Sequence, residues 1–426
     1  MKHLPTALPA MNRRHFLGHL SSIASLAVPA MHFADRIQLH ASQLRRSQRA
    51  CILLWMGGGP SHIDTWDPKP ESTNGGPFRP IATSGAMQIS EHLPRMAKLM
   101  HLMSVVRSMS TREADHSRGR YKMHTGYTPS NTIQHPSLGS IVSHQMGTKV
   151  PGLSLPSFIS VGGASEGPGF LGMTHAPFSI SSNGQVSNLK PPSHIKPVRL
   201  RQRLEMLRIV ENHFIQQKRG LAPTEHKAIY AQTLDLIGSA QTEAFNVNKE
   251  TQTIRERYGE NGFGRGCLLA RRLVETGVSF VEVNLGGWDN HRDIFPVLKD
   301  QRLPELDQAM SALIEDLNQR GLLETTTLIW MGEFGRTPRI NANAGRDHWP
   351  RSWSVVVGGG GLQGGQSIGK TDQDGIEVVG KAYEASDLFA TLCHSLKIPS
   401  DIVYTSRTGR PVKITDNGQL IKPLLG

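Results

Sequence analysis

The fold is decided by the stretch from Val278 to Pro350, which reads VSFVEVNLGGWDNHRDIFPVLKDQRLPELDQAMSALIEDLNQRGLLETTTLIWMGEFGRTPRINANAGRDHWP. Two short apolar runs, Val278–Leu285 and Thr327–Met331, predict buried strands. The segment Leu303–Leu317 between them has the periodicity of a helix. A strand, a helix and a second strand in this order predict neighbouring parallel strands of an α/β sheet.

Three polar clusters belong to this stretch: Gly286–His291, Gly332–Pro338 and Gly345–Pro350, and the first two directly follow the predicted strands. Sites in open parallel sheets are built at the carboxyl ends of the strands. We therefore expect five side chains to converge at one edge of the sheet: Asp289, His291, Glu333, Asp347 and His348. Carboxylates and imidazoles gathered in this way suit a divalent metal ion. The alternative is a buried polar network in which Trp288, Trp349 and Trp353 pack over the same histidines.

Composition indicates a globular protein. The chain has 426 residues, of which 38% are hydrophobic and 19% charged, with a formal net charge of +12. No long run of lysine and arginine occurs, so the charge is interpreted as diffuse. Only 6% of the residues are aromatic and nucleic-acid motifs are absent, so no nucleic-acid partner is expected. The three cysteines contain no C-x-x-C pair, and no disulfide is expected.

The N-terminus has the pattern of an export signal. Arg13 and Arg14 precede a short, mildly apolar run from Leu20 to Ala30, as in twin-arginine signals. We therefore predict a signal peptide over residues 1–30, a linker over 31–48 and one domain over 49–426. Either Met1 or Met11 could be the true start. The domain is predicted to carry a helical and loop insertion at about 150–260 that caps or flanks the site. No later segment is apolar for long enough to span a membrane, so no transmembrane segment is expected in the mature chain.

Two further strands lead into polar loops. Cys51–Met56 is followed by glycines and then by Asp64, although this loop also reads as an ordinary turn with helix caps. Leu102–Arg107 leads into a helix that ends at Gly126. The start of that helix would favour an anion through its free N–H groups.

Arginines near these clusters favour an anionic ligand. A metal ion flanked by Arg118, Arg120 and Arg336 would suit a phosphate or sulfate ester, because guanidinium groups bind such oxyanions. The alternative is that Arg118 and Arg120 are solvated and that His116 only caps its helix. The nucleophile stays open between three hydroxyls, Ser61, Ser117 and Thr125, and a metal-bound water.

The motifs together resemble the exported bacterial domain-of-unknown-function 1501 family. They are the twin-arginine start, Gly58–Pro70, Met123–Gly126 and the three clusters of the opening stretch. The resemblance covers nearly the whole chain and implies an alkaline-phosphatase-like fold, shared with sulfatases and phosphodiesterases. The fold expected is an α/β three-layer sandwich with a mostly parallel central sheet.

The superfamily comparison implies roles for single residues. Asp289, His291 and His348 resemble one set of metal ligands, while Glu333 stands at the position of an aspartate and Phe334 at that of a histidine. Aligning Thr125–Gly126 with the sulfatase motif puts Arg120 on its arginine and His116 on its nucleophile. The implied metal ligands are therefore Asp64, Asp289, His291, Glu333 and His348, with His116 and Arg120 as catalytic residues and Arg118 and Arg336 as substrate-binding residues.

The resemblance leaves three functions open. The first is an exported, periplasmic hydrolase of phosphate or sulfate esters that uses Zn, Ca, Mg or Mn. The second is an inactive member that binds anionic ligands such as sulfated glycans. The third is a structural partner in an exported assembly, in which the histidines are core residues.

Overall fold

An eight-stranded sheet forms the centre of the protein in the computed structural model, which describes residues 48–147, 152–186, 195–217, 220, 222–237 and 239–426. The strands are β1 (Ala50–Met56), β2 (Met103–Met109), β3 (Phe158–Val161), β4 (Phe178–Ile180), β5 (Phe280–Leu285), β6 (Thr326–Met331), β7 (Trp353–Gly359) and β8 (Ser367–Ile368). Their order is β8-β2-β7-β6-β1-β5-β3-β4. All neighbours pair in parallel except β7, which is antiparallel to both β2 and β6.

Ten α-helices accompany the sheet within the described residues. They are α1 (Pro94–Ala97), α2 (His116–Thr125), α3 (Leu138–Met146), α4 (Pro197–Gln216), α5 (Ala222–Ile237), α6 (Gln252–Tyr258), α7 (Gly262–Thr276), α8 (Ile294–Val297), α9 (Leu303–Gln319) and α10 (Ala385–Ser395). Four small antiparallel pairs add Pro80–Ala82 with Gln88–Ser90, Gly335–Arg336 with His348–Trp349, Lys370–Thr371 with Val378–Val379, and Val403–Thr405 with Pro411–Lys413. The predicted α/β class with a mostly parallel central sheet and flanking helices is confirmed.

The sheet is covered on both faces. Side chains of β1 alternate between two hydrophobic cores, because successive residues of a strand point to opposite faces. Ile52 and Leu54 pack into one core together with residues of α1, α7 and α9. Leu53 and Trp55 pack into the other together with residues of α2, α3 and α10. Burial on both faces explains why β1 is an unbroken apolar run rather than an alternating one.

The register brings several chain segments to one edge. Met56 of β1 is paired with Leu285 of β5, and Trp55 with Met331 of β6, so these three strands end together. The antiparallel β7 begins at this same edge, since its Trp353 pairs with Met109 at the end of β2. Loops that leave β1, β2, β5 and β6 therefore meet the loop that enters β7.

The segment at about 150–260, predicted as a helical and loop insertion, also contributes β3 and β4 to the sheet. Between residues 94 and 102 the chain forms the short α1 and a 3₁₀ turn, Met100–Leu102. The three cysteines are buried and free. Among the described residues, no helix is long and apolar enough to cross a membrane. The predicted signal peptide lies outside the described residues, and so does the linker apart from Gln48.

Candidate metal centre

Three histidines are held in the same way at the carboxyl edge of the sheet. The Nδ1 atom of His116 lies 2.7 Å from Oε1 of Glu333, and that of His291 lies 2.7 Å from Oδ1 of Asp347. The Nδ1 atom of His348 lies 2.8 Å from the carbonyl oxygen of Ala114. Each of these oxygens can accept a hydrogen bond, so each ring carries its proton on Nδ1 in the neutral form. The Nε2 lone pairs of His116 and His348 are then left free to bind a cation, whereas Nε2 of His291 faces Nη1 of Arg336 at 3.4 Å.

All three Nε2 atoms face the carboxylate of Asp289. Nε2 of His116 lies 3.3 Å from Oδ2, while Nε2 of His291 and Nε2 of His348 lie 3.0 Å and 3.4 Å from Oδ1. The Nε2 atoms of His291 and His348 are themselves 3.2 Å apart. Ligand atoms on one ion bound at about 2.0–2.1 Å are separated by roughly 3.3 Å in a tetrahedral site. These separations fit the shell of a single metal ion.

The Nε2 atom of His116 has the surroundings of a metal ligand. This atom is buried and forms no hydrogen bond within the described part of the chain. One ligand atom each from His116, Asp289 and His348 lies within 4.8 Å of the other two. A histidine that donates Nδ1–H to a carboxylate and presents Nε2 to a shared carboxylate has the arrangement of a metal-binding histidine. The donor set of imidazole and carboxylate therefore fits a divalent ion.

Helix α2 places His116 at this point. Asp115 caps the helix by accepting a hydrogen bond from the backbone N–H of Arg118 at 3.0 Å. Gly119 lies on the face that meets the loop after β6, where a Cβ atom would be 3.0 Å from the ring of Phe334 and 3.2 Å from Cβ of Glu333. The missing side chain lets the helix approach that loop closely enough for His116 to reach Glu333.

Glu333 and Phe334 support the imidazoles from behind. Oε1 of Glu333 also accepts a hydrogen bond from the backbone N–H of Gly58 at 2.9 Å, and the carboxylate lies on the side of His116 remote from Asp289. The buried ring of Phe334 lies with its centroid 5.0 Å from that of His116 and 4.8 Å from that of His348. Glu333 thus orients a histidine, and Phe334 packs against two of them.

The pKa values of His116, His348 and Asp289 are shifted by different causes. The hydrogen bond to Glu333 raises the pKa of His116. Burial lowers the pKa of His348. Burial alone would raise the pKa of Asp289, but its hydrogen bond to Arg336 and the positive charge outweigh this effect, and the pKa lies below its usual value. Asp289 is therefore ionised and His348 neutral near neutral pH.

Asp64, predicted as a ligand, has a different partner. Both of its oxygens accept from the buried guanidinium of Arg346, at 2.7 Å from Nε and 3.0 Å from Nη2. Arg346 also donates to main-chain carbonyl oxygens, among them that of Asn74 at 2.8 Å. This closed ion pair ties the loop after β1 to the loop before β7. Sequence reasoning missed it, because nothing in the pattern distinguishes Arg346 from a surface arginine.

The three arginines predicted to bind an anion are all paired. Arg118 donates to Glu113 at 2.6 Å, and Arg120 donates to Glu166 at 3.0 Å. Arg336 is fully buried and donates to Asp289. Arg120 also lines a cavity.

That cavity has a volume of about 420 Å³ and opens beside the ends of β1, β3 and β5. Its walls include Trp55, Arg120, Glu166, Asn284 and the glycines at 57, 162, 163 and 286. Arg120 follows His116 by four residues on α2, which is about one helical turn, or roughly 5–6 Å along the helix axis. The volume falls in the range of small-molecule sites, which is about 300–1,000 Å³.

A second buried network lies below the cavity and was not predicted. Glu282 in β5 accepts from the hydroxyl of Ser165 and lies 3.3 Å from Nε2 of His124. The Nδ1 atom of His124 faces the carbonyl oxygen of Arg120 at 2.9 Å, and its ring packs against Trp55 with a centroid distance of 4.1 Å and an angle of 52° between the ring planes. One signal was present in the sequence, since Glu282 is a charged residue inside an otherwise apolar strand.

The chain belongs to the family described as proteins of unknown function, DUF1501, whose family model matches residues 48–425. The predicted family is thereby confirmed. No curated protein sequence matches the chain.

Solved structures show a loose likeness. They include the PsFucS1 sulfatase from Pseudoalteromonas sp. (12% identity, TM-score 0.38), with 83% of this chain and 68% of that one covered. A protein in the alkaline phosphatase superfamily from Vibrio parahaemolyticus gives 10% identity and a TM-score of 0.38, over 89% and 71%. The phosphonate monoester hydrolase of Agrobacterium radiobacter gives 12% identity and a TM-score of 0.37, over 89% and 77%. What this chain does therefore has to be argued from its own residues.

Proposed function

We propose that this protein is a metal-dependent hydrolase of phosphate or sulfate esters. The observation that carries the proposal is the common arrangement of His116, His291 and His348. Each ring has its Nδ1 atom against an oxygen acceptor and directs Nε2 at Asp289. Lone pairs that face one another around a carboxylate repel unless a cation lies between them.

The ion is held by His116, Asp289 and His348. Glu333 and the carbonyl oxygen of Ala114 fix the orientation of the two rings and increase their basicity. A divalent ion bound there would polarise an ester oxygen and lower the pKa of a water molecule. The side chains themselves orient the ion and keep the site negatively charged before it binds.

The cavity beside α2 receives the substrate. Arg120 brings a guanidinium to its wall, and about 29% of that side chain is exposed even though it pairs with Glu166. An anionic ester group can replace the carboxylate of Glu166 as the partner of Arg120. The position of the cavity along α2 sets the ester group near the metal centre and the remainder of the substrate, for example a sulfated sugar, in the cavity.

Water is the attacking group in this proposal. Among the hydroxyls considered from the sequence, Thr125 donates to the carbonyl oxygen of Tyr121 at 2.8 Å, and the buried Ser61 faces the backbone N–H of Asp64 at 3.4 Å. His116 uses Nδ1 for Glu333 and turns Nε2 to Asp289, which suits a ligand better than a nucleophile.

Elemental analysis and ester assays test the proposal together. The purified protein should contain at least one equivalent of a divalent metal and should hydrolyse p-nitrophenyl phosphate or p-nitrophenyl sulfate. His116→Ala and His348→Ala should lose both properties, whereas His394→Ala, which alters an exposed histidine on α10, should keep them. A metal-free protein without hydrolysis would overturn the proposal, and bound metal without hydrolysis would favour the binding-only alternative.

We also propose export by the twin-arginine route, on the basis of Arg13 and Arg14. Replacing both by lysine should keep the precursor in the cytoplasm. Replacing Arg45 and Arg46 by lysine is the matched control, because this second arginine pair lies in the predicted linker. Equal export of the two variants would contradict the assignment.

A further inference from the structure

The guanidinium of Arg336 is a buried positive charge beside His116, Asp289, His291 and His348. Its side chain is fully buried, and each of its five N–H groups meets an acceptor. Nε donates to the carbonyl oxygen of Gly59 at 2.9 Å, and Nη1 faces the carbonyl oxygen of Arg346 at 3.2 Å and Nε2 of His291 at 3.4 Å. Nη2 donates to the carbonyl oxygen of Gly58 and to Oδ1 of Asp289.

These contacts divide the ligand-type atoms into two groups. Oδ1 of Asp289 and Nε2 of His291 already face a positive charge. Among the described residues, no arginine donates to Oδ2 of Asp289 or to Nε2 of His116, which lie 3.3 Å apart. Nε2 of His348 lies between the two groups, 3.4 Å from Oδ1 of Asp289 and 3.2 Å from Nε2 of His291, and is the third atom of the candidate ligand group. Two cations of this size and charge cannot share the atoms of the first group without strong repulsion.

The main chain holds Arg336 in place. Three of its acceptors are carbonyl oxygens, and moving the guanidinium would leave these buried groups without a donor. The conformation at Gly58 also requires glycine, with φ at +118° and an added Cβ atom only 2.4 Å from the backbone N of Asp289. An arginine does not lose its proton in a protein, so the charge is permanent.

We infer that the centre binds one metal ion and that Arg336 takes the place of a second one. The ion is held by His116, Asp289 and His348, and the guanidinium neutralises the other oxygen of Asp289. His291 is a positioning residue in this arrangement, since its Nε2 accepts from Arg336 while Asp347 holds its Nδ1 at 2.7 Å. This inference rests on the proposed metal-dependent function.

Metal titration of apo-protein variants tests the inference without any assay of activity. With saturating Zn²⁺ or Mn²⁺, the wild-type protein should bind one equivalent. His291→Ala should still bind one equivalent with an affinity reduced by at most about tenfold, the lower end of the effect of an orienting residue. His348→Ala should reduce the affinity by more than about 100-fold, beyond that range.

Variants of Arg336 give the complementary result. Arg336→Met should bind two equivalents once the guanidinium is gone, and Arg336→Lys, which keeps a charge, should stay at one. A folded Arg336→Met protein that binds one equivalent or none would overturn the inference. Where circular dichroism shows that Arg336→Met is unfolded, the comparison of His291→Ala with His348→Ala decides.

The possible failures can be told apart. A wild-type protein that binds no metal overturns the proposed function itself. A wild-type protein that binds two equivalents, or a His291→Ala protein that loses its metal as completely as His348→Ala, overturns only the inference on Arg336.

Discussion

Two clusters of charged side chains in this protein are built on opposite plans. The site cluster consists of His116, Asp289, His291, Glu333, Arg336 and His348 at the carboxyl edge of the sheet. The helix cluster consists of Glu250, Tyr258, Arg271, Glu275, Asp316 and Arg320, on α6, α7 and α9 and in the adjoining turns. In the helix cluster, the buried Arg271 pairs with Asp316 at 2.9 Å, with Glu250 at 2.9 Å and with Glu275 at 2.8 Å.

The two clusters differ in which chemical groups face one another. Opposite charges meet in the helix cluster, and Tyr258 fills a remaining acceptor position by donating to Asp316 at 2.9 Å. In the site cluster, the Nε2 atoms of three imidazoles meet around one carboxylate, that of Asp289. Paired opposite charges stabilise the fold, whereas ring nitrogens that converge on one carboxylate suit the binding of a cation. The following variants separate these two roles.

Arg271→Met should have the largest effect on stability. It removes a buried counter-charge of Asp316 and Glu250, which Arg320 and Arg272 replace only in part, and removal of one partner of a buried pair costs about 3–5 kcal/mol. Urea unfolding monitored by circular dichroism measures the loss. The metal content of the folded fraction should not change, because none of the site residues contacts Arg271 in the described structure. Loss of metal from folded Arg271→Met would show that the clusters are coupled.

A second variant, Glu333→Gln, should lower metal affinity strongly and change stability little. Glu333→Gln keeps an oxygen that can accept from Gly58 but removes the carboxylate behind His116. Metal affinity should fall by about 10- to 100-fold, which is the usual cost of losing such a partner. The free energy of unfolding of the apo protein should change by less than about 1 kcal/mol, since a neutral acceptor remains. A metal-binding isotherm and a urea curve measure both quantities, and an unchanged affinity would contradict the role of Glu333.

Much of this site was predictable because of where strands end. Apolar runs identified β1, β5 and β6, and the glycines after them placed Asp289, His291 and Glu333 at one edge. The antiparallel direction of β7 was not visible in the sequence, yet it is the reason that His348 arrives at that edge. Partners were harder to predict than positions. The pairing of Arg346 with Asp64 joins residues that are far apart in the chain, and the orientation of His116 depends on a contact between α2 and the loop after β6.

The pH dependence of metal binding distinguishes His116 from His348. Because Glu333 raises the pKa of His116 above its ordinary value of 6.5, this ring takes up a proton before His348 as the pH falls. Metal affinity should be constant above that raised pKa and decrease about tenfold per pH unit below it, since one proton competes with the ion. Burial lowers the pKa of His348, so this ring should compete only at lower pH.

The apo protein should show the opposite sign. A pKa that is raised on folding contributes stability that is fully present below pH 6.5 and is lost as the pH rises through the folded-state value. Titration of metal-free and metal-loaded protein by thermal unfolding compares the two trends. Glu333→Gln removes the main cause of the shift, so it should move the metal-binding profile to lower pH and weaken the pH dependence of apo-protein stability. A profile that Glu333→Gln leaves in place would assign the titration to another group.

The smallest effect on metal binding is expected from the N-cap of α2, the helix that carries His116. Asp115 caps α2, which carries His116, and Ser137 caps α3, which carries no residue of the site cluster; Ser137 accepts from the backbone N–H of Ser140 at 3.3 Å. Asp115→Ala and Ser137→Ala should each cost about 1 kcal/mol of stability, the typical value of an N-cap. Only Asp115→Ala should also weaken metal binding, because fraying of the first turn of α2 moves His116 away from Glu333 and Asp289. Equal metal affinities for the two variants would mean that the contact of His116 with Glu333, and not the cap, is sufficient to hold the ring.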